Sequence, residues 1–293
     1  MSQKPWTIKA LLEVTTDYLK KKDIESPRLS AEILLAHQLN INRVKLYLNL
    51  NQPLNDSEVS GYRTLIKRRV NREPIHYITG HREFWSLDFK VGPQVMVPRP
   101  ESELLVELGL SLCKGSLEGE CKRILDLGTG CGALCISLAC EVEQGSFWAS
   151  DISDEALDLA RFNARKHGVE NRIEFIQGDL FQPFKDKNLR FDIIISNPPY
   201  IASEAISALP PDVRNYEPRV ALDGREEGLF FIKKIISEGK DYLNPGGWVL
   251  LEMDPDQTTK ALKLIEREPG YERGERFKDY SHQYRVVMAQ RND

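Results

Sequence analysis

Beyond residue 100 the chain alternates between two hydrophobic periods, and this alternation limits its fold more than any other feature. Short apolar runs at 123–127, 146–150, 172–177, 191–196, 247–253 and 284–290 read as strands. Among them, 102–112, 132–141, 154–167, 228–243 and 257–267 carry helical spacing. Strands that take turns with helices build a mostly parallel sheet with helices on both faces. No internal repeat or low-complexity tract interrupts the pattern.

The chain before residue 100 has a different character. Over 7–22, Ile8, Leu11, Leu12, Thr15 and Leu19 recur at helical steps. Ser26-Pro27 predicts a second helix start, with Leu29, Ile33, Leu34 and Leu39 as its apolar face. A third helix over 57–71 puts Val59, Tyr62, Leu65, Ile66 and Val70 on one side. The run from Phe84 to Val91 alternates apolar and polar residues, and Pro93, Pro98 and Pro100 follow it. The expected organisation is a helical domain over 1–73, a β-hairpin linker over 74–100 and an α/β domain over 101–293. Residues 1–85 carry a net charge of +5 and the remainder −9, which suggests two units with different partners.

An apolar share of 41% in 293 residues supplies a packed core. No apolar stretch approaches the ~20 residues that cross a bilayer. Met1-Ser2-Gln3-Lys4-Pro5-Trp6 lacks an apolar leader core, and Glu13 and Asp17 come too early for a transit peptide, so a cytoplasmic protein is expected. Five cysteines without a CxxC pair argue against a disulfide framework and a zinc site. The five histidines show no ligand spacing, and no metal is expected.

Two segments carry the chemistry. Asn197-Pro198-Pro199-Tyr200 directly follows the strand at 191–196, where open α/β sheets place their ligands. Consecutive prolines remove two backbone donors and fix φ, leaving a stiff, acceptor-rich corner. Such a corner suits holding a planar NH2 group while it attacks. The second segment, residues 124–133, reads as strand, glycine-rich turn and helix start, with unpaired N–H groups for an anionic or polar ligand. Asp151 ends the next strand and can accept both hydrogen bonds of a ribose diol. Gly128-x-Gly130-x-x-Ala133 with Asp151 also satisfies a dinucleotide fingerprint. Two features tilt the choice. Asp126-x-Gly128-x-Gly130-x-Gly132, which includes Thr129 and Cys131, resembles the S-adenosylmethionine loop of Rossmann-like methyltransferases. Gly178-Asp179-Leu180 stands where such enzymes place a polar and an apolar contact around the adenine.

Nearly the whole chain resembles the release-factor glutamine methyltransferases, the HemK/PrmC family. The likeness runs through Arg72-Glu73-Pro74-Ile75-His76-Tyr77-Ile78-Thr79-Gly80, Phe84-Trp85-Ser86-Leu87-Asp88-Phe89 and Val97-Pro98-Arg99-Pro100-Glu101-Ser102-Glu103. It continues through the glycine loop, Asn197-Pro198-Pro199-Tyr200-Ile201 and Glu217-Pro218-Arg219-Val220-Ala221-Leu222. Ser102 stands where threonine is usual, and Asp223-Gly224-Arg225 replaces a more common double glycine. The resemblance implies a Rossmann-like methyltransferase domain with a seven-stranded sheet. It also implies N5-methylation of the glutamine in the Gly-Gly-Gln motif of a peptide-chain release factor, bound by the helical domain. Cofactor contacts are then expected at Asp126, Gly128, Thr129, Gly130, Cys131, Gly132, Asp151, Asp179, Leu180 and Asn197. The substrate glutamine is expected at Asn197, Pro198, Pro199 and Tyr200, with the Asn197 side-chain oxygen and the Pro198 carbonyl each accepting an amide N–H. A monomer without membrane or direct DNA contact is expected. Two rivals share parts of this pattern. One is a methyltransferase acting on an exocyclic NH2 of a base in rRNA or DNA. The other is a module that binds S-adenosylmethionine without catalysis.

Overall fold

The computed structural model describes residues 5–115 and 122–292 and divides them into two compact units. The expectations on Met1 to Lys4 and on Cys121 lie outside the described residues. The first unit runs to Gly80 and takes in Pro210–Tyr216; the second holds His81–Leu209 and everything from Glu217 onward. Among the described residues no helix is long and apolar enough to cross a membrane.

Five helices build the first stretch: α1 (Ile8–Lys21), α2 (Pro27–Gln38), α3 (Arg43–Leu48), α4 (Asp56–Val70) and α5 (Ile75–Thr79). The Thr7 side chain caps α1, and Asn55 with Glu58 forms a reciprocal capping box on α4. Ile8, Leu12, Leu34, Leu35 and Tyr62 form its core, and the Tyr62 hydroxyl donates to the Ala31 carbonyl at 3.0 Å. The expected face of α2 is rotated. Leu29 is exposed, and Ser30, Ala31, Leu34 and Leu35 turn inward. Among them Glu32 is buried too, satisfied by Arg28, Arg43 and Tyr47.

The second unit opens with a hairpin, β1 (His81–Phe84) and β2 (Leu87–Lys90), turned by Trp85 and Ser86 at φ 51° and 58°. The apparent single strand from Phe84 to Val91 is therefore a turn followed by a short strand. Alternation alone hid the reversal, because neither turn residue is the usual Asn or Gly. The preceding Ile75–Thr79 is helical and belongs with the first unit.

The α/β layer then follows as α6 (Glu103–Lys114), β3 (Lys122–Leu127), α7 (Ala133–Glu141), β4 (Gly145–Asp151), α8 (Asp154–Lys166), β5 (Ile173–Gln177) and β6 (Phe191–Ser196). After α9 (Pro211–Tyr216) come α10 (Phe230–Gly239), β7 (Leu243–Glu252), α11 (Pro255–Arg267), β8 (Tyr271–Lys278) and β9 (Tyr284–Arg291). The sheet has seven strands in the order β5-β4-β3-β6-β7-β9-β8, parallel except that β9 runs against both neighbours. β8 is the strand that periodicity missed. Its sequence Tyr-Glu-Arg-Gly-Glu-Arg-Phe-Lys is mostly charged, as suits a sheet edge. Leu125, Leu127, Ile194, Val249 and Leu251 pack with Ile232, Ile235 and Ile236 of α10 and Ala261 and Ile265 of α11. The intervening Ile124, Ile193, Ile195 and Leu250 point to the opposite face and are also buried.

Chain order reverses at β3, whose neighbours are β4 on one side and β6 on the other. Loops leaving β3 and β6 must diverge, which opens a crevice at their carboxyl ends. Glu103, Glu141, Lys166 and His167 all bond the hairpin to this layer, and one buried residue ties it to the glycine loop as well. Asn163 of α8, fully buried, accepts from Lys90 N at 2.8 Å and donates to the carbonyls of Lys90 (3.0 Å) and Cys131 (2.9 Å). Asn163→Ala strands these groups. The expected loss is about 2–4 kcal/mol of unfolding free energy, measured by urea denaturation.

Candidate active site

Leu127 and Ser196 end paired strands side by side, and the Ser196 hydroxyl donates to the Leu127 carbonyl at 2.7 Å. The glycine loop leaves one strand and Asn197 leaves the other. Between them lies an open cleft of about 1080 Å³, counted with its mouth. Its lining includes Gly128, Thr129, Gly130, Cys131, Asp151, Asp179, Leu180, Asn197 and Pro199. All of these were expected from the sequence.

The loop is held open from below. Gly128, Gly130 and Gly132 have φ of 72°, 56° and 86°. A Cβ on Gly128 or Gly130 would meet no protein atom within 4 Å, so both backbones face free space that a ligand can approach closely. Asp151 Oδ2 accepts from Gly130 N at 2.9 Å and Oδ1 from Ser153 N at 2.9 Å, leaving a further lone pair on each oxygen. Burial raises the Asp151 carboxyl above its usual range. These residues fit a nucleoside with a ribose diol. Leu180 sits in the wall at φ 48°, a conformation a branched side chain rarely adopts.

Four expected site residues do not line the cleft. Asp126 is fully buried, and its Oδ2 accepts from Thr129 Oγ1 at 2.7 Å and Cys135 N at 3.2 Å. It braces the loop to α7 and makes no wall of the cleft. Burial pushes its carboxyl up to about 7, against those two hydrogen bonds. Gly132 serves packing, since a Cβ there would lie 2.5 Å from Ile136 and 3.3 Å from Ala160. Pro198 is buried, and Tyr200 packs against the core of α10, α11 and the central strands. The Tyr200 carbonyl accepts from Gln257 Nε2 at 2.8 Å. Gly224 and Gly228 close on the same corner, and a Cβ on Gly228 would fall 2.0 Å from the Tyr200 oxygen.

Asn197 is anchored by its nitrogen. Nδ2 donates to Ser102 Oγ at 2.9 Å and to Glu252 Oε1 at 3.0 Å, so Oδ1 is the free end of an amide that lines the cleft. No described protein donor reaches the Pro198 carbonyl either. Glu252 went unnoticed in the sequence. The available signal was one carboxylate inside the apolar run Gly247 to Met253, at the carboxyl end of a strand. Segment 94–96 also lines the cleft, and no periodicity announced it. Arg99 pairs with Glu217, its Nη2 lying 2.6 and 2.8 Å from the two carboxylate oxygens. This pair joins the segments that bring Pro98 and Pro218 to the wall.

Sheet order, glycine loop and the carboxylate ending β4 together define a Rossmann-like methyltransferase. A family model for the PrmC N-terminal domain matches residues 10–80, and one for a methyltransferase domain matches 119–273. A release factor glutamine methyltransferase of Geobacter sulfurreducens is 41% identical over 91% of this chain and 92% of its own. Another, from Leptospira interrogans, is 39% identical over 99% of this chain and 100% of its own. A solved methyltransferase from Pyrococcus furiosus shares the fold, with a TM-score of 0.51 over 80% of this chain and 99% of its own at 20% identity. The chain belongs to the release factor glutamine methyltransferase family. The cofactor of this fold and family is S-adenosylmethionine, which the loop and Asp151 fit.

Two outcomes follow from the bracing. A buried carboxyl whose folded pKa is about 7 favours its protonated form, so its stabilisation is complete below about pH 4 and is lost as pH rises to about 7. Asp126→Asn is expected to show a smaller fall of thermal midpoint than the parent between about pH 5 and pH 8; parallel curves would show that Asp126 does not titrate there. Gly228→Ala is expected to cost roughly 2–4 kcal/mol in denaturation, because backbone blocks the new methyl and φ is positive.

Proposed function

We propose that this chain methylates the N5 amide nitrogen of the Gly-Gly-Gln glutamine in a peptide-chain release factor. One observation carries the reading: Asn197 is tied back by its nitrogen and offers its oxygen to the cleft. Membership in the family and the near-full-length relatives named for this activity support it.

A carboxamide nitrogen is a poor nucleophile, because its lone pair is delocalised into the carbonyl. When bound, S-adenosylmethionine supplies an electrophilic methyl group on a positively charged sulfur. Gly128, Gly130 and Asp151 would hold its nucleoside, and Leu180 would wall it. Asn197 Oδ1 accepts one N–H of the substrate amide, and the Pro198 carbonyl accepts the other. These two acceptors turn the nitrogen lone pair toward the methyl. Both hydrogen bonds strengthen as positive charge grows on nitrogen, so the corner stabilises the transition state more than the ground state. The rest is alignment, where a fixed near-attack geometry contributes several kcal/mol. The methylated amide nitrogen is acidic and sheds its proton without a dedicated base. Tyr200 stiffens the corner from behind through its packing and its bond to Gln257. The protein acts as a cytoplasmic monomer, with no direct contact to DNA.

Asn197→Ala is expected to lose roughly 2–4 kcal/mol of transition-state stabilisation. Cofactor affinity, measured by calorimetric titration, should stay within a few-fold. The assay is mass spectrometry of a release factor after incubation with protein and cofactor, reading a gain of one methylene on the Gly-Gly-Gln peptide. Parallel incubations with rRNA and DNA distinguish a base-methylating enzyme, and full turnover by the variant would refute the mechanism.

A further inference from the structure

Glu252 is 1% exposed, yet it ends a strand beside the reacting corner, one residue beyond the paired Ser196 and Leu251. Burying a carboxylate is expensive, and a serine or an amide could hold Asn197 as well. Its Oε1 takes the Asn197 Nδ2 hydrogen, and its Oε2 has no hydrogen-bond partner among the described residues. An ionised carboxylate can only accept. It therefore admits one of the two orientations of the Asn197 amide, the one that turns Oδ1 outward. Glutamine or a protonated glutamate could instead donate to Oδ1 and turn the NH2 group toward the substrate amide, donor against donor.

We propose that Glu252 is a positioning residue, whose ionised carboxylate, with the Ser102 hydroxyl, locks Asn197 with its oxygen toward the substrate nitrogen. This rests on the assignment of Asn197 as the acceptor for that nitrogen. A negative charge behind the Asn197 amide also polarises it, making Oδ1 a better acceptor as the nitrogen becomes cationic. The groups facing Glu252 are Ser102 and Glu101 ahead of α6, Asn197 and Tyr200 at the corner, and Arg285 of β9. Burial, reinforced by Glu101, raises its carboxyl to about 7, while Ser102, Arg285 and Asn197 act to lower it. Turnover should then rise with pH through that region.

The test is a double-mutant cycle of Glu252→Gln and Asn197→Ala, with kcat, cofactor affinity, thermal midpoint and the pH profile measured on each full-length variant. Glu252→Gln alone should lower kcat roughly ten- to a hundredfold, the range of coupling within one hydrogen-bonded network. Its thermal midpoint at pH 8 should equal or exceed that of the parent, since a buried charge has gone. The rise of kcat through about pH 7 should vanish in Glu252→Gln. On the Asn197→Ala background the same change should cost nothing further. Additive losses, or an unaltered pH profile and full kcat in Glu252→Gln, would overturn the proposal. If Glu252→Gln does not fold, Ser102→Ala takes its place in the cycle with the same expectation of non-additivity. Full activity of Asn197→Ala would instead strike the functional assignment itself, so the two failures are distinguishable.

Discussion

The site depends on two strand ends lying side by side while the chain leaves them in opposite directions. Leu127 and Ser196 are paired, and one hydroxyl-to-carbonyl bond clamps them. Everything functional is a consequence of what leaves from there: a loop of glycines on one side and a proline-stiffened corner on the other. Because the order reverses at β3, no crossover helix can cover the gap, and a ligand can. The buried carboxyl of Asp126 then holds the loop to α7, and the space beside Gly128 and Gly130 stays open to the guest.

A second layer of polar groups sets the aim of the first. Asn197 has two chemically different ends, and only its surroundings decide which faces the cleft. Ser102 comes from the turn before α6 and Glu252 from the end of β7, so three separate stretches of chain converge on one amide. The Arg99–Glu217 ion pair does similar work at the rim, with the Glu217 side chain only 2% exposed. Removing Arg99 would be costly, because the buried Glu217 carboxylate would lose the cation that offsets its desolvation.

The α/β layer was legible because its strands are apolar and its helices amphipathic. The cofactor loop and the corner were legible because glycine and proline leave their geometry in the sequence. What escaped has a shared physical cause. β8 pairs at an edge through its backbone, and its charged side chains carry no hydrophobic signal. The hairpin turn uses Trp85 and Ser86 in a conformation neither prefers, so no turn residue marks it. Glu252 and Asn163 matter through contacts with residues far away in sequence, which a local pattern does not encode. Asp126, Gly132 and Tyr200 lie in the right motifs but support the site from outside the cleft, and a linear motif does not separate wall from scaffold.

The helical unit is not continuous in sequence. Arg69 of α4 lies 3.6 Å from Asp212, and the Tyr216 hydroxyl donates to the Asn71 carbonyl at 2.7 Å, so the stretch shortly after the corner is built into the N-terminal helices. A cut at Gly80 thus yields no two self-sufficient pieces. The larger fragment would carry a seven-residue splint torn from its mate, strung between Leu209 and Glu217. The chain therefore crosses between the two units three times, after Gly80, Leu209 and Tyr216.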